Sequence, residues 1–282
     1  NTKKIKKTKN IFIEEIFENL FRNKKISSNQ IYNIAKNLSI GIVLTAHPTE
    51  VKRRTLIQKY HKITEILEQR NLLSKYPSKL KLLDKKLVQF CNDNFKKSNY
   101  ILQKLDEYKK ILIEENKKIN LIGKSTIENF DQRHFLDCIQ VIKHLPHVEK
   151  AHMDIGTGAG LPGIILAIIG YKNLHLVEKS VKKSIFLENC KSRLGLDYKV
   201  HNNSIADLSD MNIDYITARA FAPVEKIISI TKKIINKHTK FILLKGKSYL
   251  SELQFINKKK YFWELHPSIT SGESKIVIVG LK

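Results

Sequence analysis

The sequence predicts an α/β fold: a mostly parallel sheet with helices on both faces, preceded by an α-helical N-terminal segment. Three observations predict it. Up to about residue 118 the apolar residues recur at helical spacing, with little strand signal. After His147 short apolar runs alternate with helical stretches, the pattern of a sheet built from strand–helix–strand crossovers. Between the first such run and the next helix lies a glycine-rich loop, a junction that recurs where parallel sheets bind ligands at strand C-terminal ends.

Taken in order, residues 11–22, 28–38, 50–70 and 77–90 read as helices. The longest runs through Val51, Leu56, Tyr60, Ile63, Ile66 and Leu67, with Pro48 placed to start it and Glu50 suited to a first turn. A further helix, 98–118, puts Ile101, Leu105, Tyr108, Ile111 and Leu112 on one face and charges on the other. Strands follow at 152–155, 174–178, 197–201, 213–217, 240–246, 261–265 and 274–281, with helices at 163–169, 181–194 and 224–236 between them. The change of pattern divides the chain into a helical segment, 1–92, and an α/β domain, 93–282.

Hydrophobic residues make up 42% of the 282, enough for a packed core and against wholesale disorder. The net charge of +24 suits a polyanionic partner, because lysines facing phosphates release condensed counterions. A lysine-rich coding bias would give the same excess, so charge alone does not decide. Cys91, Cys138 and Cys190 are far apart and form no CxxC pair, which points to reduced thiols in a cytoplasmic protein rather than to a zinc site or a disulfide framework. No apolar run approaches the roughly 20 residues of a membrane span. The basic start precedes IFIEEIFENLF, whose acids argue against a secretory signal.

The sharpest local feature is the run 154–163, DIGTGAGLPG. Glycines let the backbone turn tightly and let a ligand approach the amides. No Gly-Lys-Ser/Thr closes the loop, so it is not a phosphate-binding P-loop. Glu178 ends the second strand, where a carboxylate can accept hydrogen bonds from both ribose hydroxyls of an adenosine. That suits NAD and S-adenosylmethionine equally. The spacing GxGxG, rather than GxGxxG, favours a methyltransferase over a dehydrogenase.

Residues from about 95 onward carry separated motifs: Lys118-Ile119-Asn120-Leu121, Arg133-His134-Phe135-Leu136-Asp137, the run 154–163, Arg219-Ala220-Phe221-Ala222, Leu244-Lys245-Gly246 and Gly272-Glu273-Ser274-Lys275. Together they resemble the family of ribosomal RNA small subunit methyltransferase G, also called glucose-inhibited division protein B. The resemblance implies a Rossmann-like class I methyltransferase domain that uses S-adenosylmethionine. It implies methylation at N7 of a guanine in 16S ribosomal RNA, with the RNA or the small ribosomal subunit as partner, no membrane, and a monomer. Carried over by position, Gly156, Leu161, Ile205, Ala206 and Arg219 are expected at the cofactor beside Glu178, and Arg133, His134, Lys245 and Lys275 at the RNA. Where the family often has Arg and Glu around the adenine, this chain has Ser204 and Ala206, and it has Lys275 where Arg is common. N7 carries a lone pair and no proton, so the reaction asks for alignment rather than for an acid–base residue, and no metal is expected.

The run 43–60, VLTAHPTEVKRRTLIQKY, resembles the N-terminal signature of phosphoenolpyruvate carboxylase over roughly residues 10–85. His47 falls on that enzyme's catalytic histidine, and Arg53 and Arg54 on its adjacent arginines. The segments that hold its metal-binding acids have no counterpart, so the piece is expected to be an inactive remnant from a gene fusion, or else a basic arm that grips RNA. Carboxylase activity, and an RNA-binding protein that has lost its cofactor, are the competing readings of the whole chain.

Overall fold

The computed structural model describes residues 83–145 and 148–282. The helices expected at 11–22, 28–38 and 50–70, with His47, Arg53 and Arg54, lie outside the described residues. Helix α1, Lys85–Asn94, is capped by Asp84, whose carboxylate accepts the backbone N–H groups of Lys86 and Leu87. It buries Leu87, Phe90 and Cys91. Helix α2, Ser98–Glu115, buries the five apolar residues that the spacing marks out. It ends three residues short of the expected 118 because the Asn116 side chain accepts the backbone N–H groups of Leu121 (2.8 Å) and Ile122 (2.9 Å) and folds the chain back.

A wider winding follows. Residues Asp131–Leu136 form a π-helix, which continues through one α-turn, Asp137–Ile139, into a 3₁₀ stretch, Gln140–His144. Such widened turns are uncommon and recur at functional sites. The α/β part then runs β1 (His152–Ile155), α3 (Gly163–Ile169), β2 (Leu174–Val177), α4 (Val181–Leu194), β3 (Lys199–His201), β4 (Ile213–Arg219), α5 (Val224–Ile230), β5 (Ile235–Lys245), α6 (Tyr249–Leu253), β6 (Tyr261–Pro267) and β7 (Lys275–Leu281). The seven strands form one sheet in the order β3-β2-β1-β4-β5-β7-β6. The first five of that order are parallel, and β7 alone runs the other way, pairing antiparallel with both β5 and β6. The Rossmann-like α/β class is therefore observed. Strand order reverses between β1 and β4, and the crevice beyond the C-terminal ends of those strands is where such sheets take ligands.

Alternate residues of the strands separate two cores. On one face Leu174, Leu176, Ile242, Leu244, Ile276 and Ile278 pack with α1–α4. On the other, Met153, Ile155, Phe241, Leu243, Val277 and Val279 pack with α5 and α6. Helix α3 is apolar all round and buried from Gly163 to Ile168, as a helix wedged among others must be. The helix expected at 224–236 stops at Ile230. The buried Thr231 hydroxyl bonds back to the carbonyls of Ile227 (2.8 Å) and Ile228 (3.2 Å), a competitor for helical hydrogen bonds. Ile235 then joins β5 by pairing with Ile213.

Candidate functional site

The glycine loop is held from inside by one carboxylate. Asp154, on β1, is fully buried. Its Oδ2 accepts the Thr157 hydroxyl (2.5 Å) and the Gly163 N–H (2.9 Å), and its Oδ1 accepts the Thr217 hydroxyl (2.9 Å). A single side chain thus ties together the loop, the start of α3 and β4. Burial pushes its pKa up to about 6 against the pull of those three donors. From outside, the buried Tyr108 hydroxyl of α2 donates to the carbonyl of Ala159. Gly163 has no room for a side chain: a methyl group there would lie 2.8 Å from Leu176 Cγ and 2.9 Å from Asp154 Oδ2.

Glu178 directly follows β2, and its carboxylate turns onto this loop. Oε2 accepts the Gly158 N–H (3.0 Å) and Oε1 the Ser180 N–H (2.8 Å). Its own backbone is fixed by His201, Ser184 and Asn202. A carboxylate oxygen accepts more than one bond, so both retain lone pairs for further donors. Beside it, a methyl group on Gly158 would meet nothing nearer than 3.8 Å, so the loop has space there for a ligand. These features fit a ribose whose two hydroxyls donate to Glu178.

The other expected cofactor residues lie at the same edge of the sheet, in different surroundings. Ile205 is buried in the 3₁₀ turn Ile205–Asp207 beyond β3, and its neighbour Ala206 is exposed. The Leu161 side chain is buried in the core rather than open to the crevice.

Arg219, the last residue of β4, reaches the π-helix. Its Nε donates to Asp137 Oδ2 (2.9 Å) and one Nη to the Arg133 carbonyl (2.7 Å), while both Nη atoms lie 3.4 Å from His134 Nδ1. With a guanidinium facing Nδ1, the imidazole proton belongs on Nε2, which lies 2.8 Å from the Thr126 hydroxyl, itself a donor to the Gly123 carbonyl. Burial first, and the charges of Arg219 and Arg133 after it, push the His134 pKa down to about 4, so the ring is neutral at physiological pH. Asp137 also accepts the Thr270 hydroxyl (2.9 Å), and Gln140 holds Ser268 (3.0 Å) and the Ile269 N–H (2.9 Å). The loop between β6 and β7, which carries the Gly-Glu-Ser-Lys motif, is thereby fastened to the same helix. Sequence reasoning missed the roles of Asp154, Gln140, Thr270 and Tyr108, although Asp154 stands as a lone acid in an apolar strand just before the glycine loop.

Lys245, at the end of β5, is tied down rather than free. Its side chain is 9% exposed, its Nζ lies 2.7 Å from Glu252 Oε2, and it donates to the Ala222 carbonyl. Lys275 begins β7 opposite Lys245 in the antiparallel register and is half-exposed. Among the described residues no group of three or more His, Cys, Asp or Glu side chains could hold a metal, and no helix is long and apolar enough to cross a membrane.

Residues 1–109 match the family model of phosphoenolpyruvate carboxylase. The ribosomal RNA small subunit methyltransferase G of Rickettsia rickettsii (strain Sheila Smith) is 38% identical over 180 residues, covering 64% of this chain and 93% of that protein. That of Rickettsia typhi (strain ATCC VR-144 / Wilmington) is 39% identical over 186 residues, with the same coverage. Among solved structures, a ribosomal protein L11 methylase from Lactobacillus delbrueckii subsp. bulgaricus aligns with a TM-score of 0.45 and 18% identity, covering 52% of this chain and 77% of that one. Residues 101–274 match the family model of rRNA small subunit methyltransferase G, and the chain belongs to that family.

Proposed function

We propose that this chain transfers a methyl group from S-adenosylmethionine to N7 of a guanine in 16S ribosomal RNA. The observation that carries the reading is the Glu178 carboxylate, turned onto Gly158 of the glycine loop where the strand order reverses. The cofactor supplies a methyl group already activated on a sulfonium. Glu178 would take the ribose hydroxyls, the loop from Gly156 to Gly158 would face the chain beyond the ribose, and Ile205 with Ala206 would flank the adenine. Leu161 acts through the core, by fixing the loop. Arg219 keeps the cationic edge of the site in place through Asp137, and Arg133, His134 and Lys275 lie toward the RNA side. N7 has no proton to lose, so no residue need act as base, and a neutral His134 is consistent with that.

The methyltransferase unit is taken to begin at Leu83 rather than at residue 93, because α1 packs into the same core as α2. The carboxylase-like segment is read as an inactive fusion remnant, and the protein as a cytoplasmic monomer. Calorimetric titration with S-adenosylmethionine tests the reading: saturable binding in the wild type and at least about tenfold weaker binding in Glu178→Ala, the loss of charge-assisted hydrogen bonds, are expected. A wild type that binds RNA but no cofactor would make this a non-catalytic RNA-binding protein.

A further inference from the structure

The turn after β4 holds an aromatic side chain in the open. Phe221 is 40% exposed, unusual for a ring at a sheet edge lined by buried groups. Its backbone is strained on one side, since Ala220 adopts a φ of +49°, a region that costs an L-residue energy and persists only where the surroundings impose it. The surroundings do impose it. Arg219 before the strained residue is anchored to Asp137 and the Arg133 carbonyl. After it, Lys245 holds the Ala222 carbonyl and Glu252 accepts the Val224 N–H (3.1 Å). Lys245 and Glu252 are themselves an ion pair, with side chains only 9% and 17% exposed.

The ring so held lies on the first glycine of the cofactor loop. A methyl group on Gly156 would fall 2.0–2.7 Å from three atoms of the Phe221 ring. An exposed aromatic surface, rigidly mounted at the lip of the glycine loop, has the shape and polarity to receive a flat heteroaromatic. Two such groups come near the loop in a methyl transfer to a base, the cofactor's adenine and the acceptor base; the adenine is assigned to Ile205 and Ala206 beyond β3, which leaves the turn after β4 to the acceptor base.

We propose that Phe221 is the platform on which the acceptor guanine stacks, and that Lys245 and Glu252 are the positioning pair that holds the platform against the glycine loop. The proposal rests on the methyltransferase reading above. It also gives Lys245 a role other than contact with an RNA phosphate. Stacking of a base on an aromatic ring is worth roughly 5- to 150-fold in affinity and tolerates one base for another.

The test is single-turnover methylation of small-subunit RNA from cells lacking the enzyme, with calorimetric titration of S-adenosylmethionine on each variant. Phe221→Leu is expected to lower kcat/KM for RNA by about tenfold or more, within that stacking range, while Phe221→Trp stays near wild type and cofactor affinity is unchanged in both. Lys245→Met is expected to lower kcat/KM for RNA in the same direction, with Lys245→Arg recovering part of it, and again without weakening the cofactor. Wild-type rates in Phe221→Leu would overturn the proposal. So would a fall in cofactor affinity that accounts for the whole loss, because the ring would then be a wall of the cofactor pocket. If Lys245→Met unfolds, the Phe221 pair still decides. A wild type that transfers no methyl group contradicts the methyltransferase reading instead.

Discussion

Asp137 and Arg219 are separated by 82 positions in the sequence and joined by a 2.9 Å ion pair, with each side chain 20% exposed. Replacing Asp137 by Asn keeps the volume and removes the charge. It sets the guanidinium against an amide, and Thr270 and Gln140 lose part of their acceptor. Exposed pairs are worth about 0.2–1 kcal/mol, whereas breaking a buried one costs about 3–5 kcal/mol. A pair one-fifth exposed falls between, so Asp137→Asn should cost about 2 kcal/mol. Arg219→Met should cost somewhat more, because it also leaves the Arg133 carbonyl without its donor. In urea unfolding of wild type, both single variants and the double variant, the coupling should be about 1–2 kcal/mol. Effects that add to within about 0.5 kcal/mol would refute the argument that this pair fastens the π-helix to the sheet.

Two further outcomes follow from the glycine loop. Asp154 binds its proton more tightly folded than unfolded, since burial raises its pKa from the ordinary 3.8 to about 6. Stability should therefore rise, relative to Asp154→Asn, as pH falls from 7.5 through 6 toward 4, and be lost again as pH rises through that window; unfolding titrations that give a constant difference between the two proteins would show that the carboxylate does not titrate there. Gly156→Ala puts a side chain at φ +60° and against Phe221. It should cost about 1–3 kcal/mol, less in a Phe221→Ala background, and equal costs in both backgrounds would mean the ring does not press on the loop.

The parallel sheet was legible in the sequence because its strands are short apolar runs separated by helical spacing, and the α/β class needs little else. The glycine loop and Glu178 were legible as a pair because a strand end and a loop 20 residues apart are brought together by one strand–helix–strand unit. Arg219 was legible as a residue of the ligand edge, but not its partners. They lie on the π-helix and the α-turn after it, whose winding leaves no 3.6-residue periodic trace. Lys245 reads in sequence as a cation at a strand end, open to phosphate. Only the fold brings Glu252 from α6 against it and makes the pair a support for the turn at 219–224. The end of α5 depended on one buried threonine hydroxyl, which helical spacing through Ile235 conceals.

The central claim is a methyl group placed on one guanine. Small-subunit ribosomal RNA, or the assembled subunit, from cells lacking the enzyme should be incubated with the full chain and S-adenosylmethionine and then mapped by cleavage specific for N7-methylguanine. A single new cleavage position, dependent on cofactor and formed more slowly by Glu178→Ala at limiting cofactor, is the result this account predicts. No cleavage position, or methylation at another atom of the base, would contradict it.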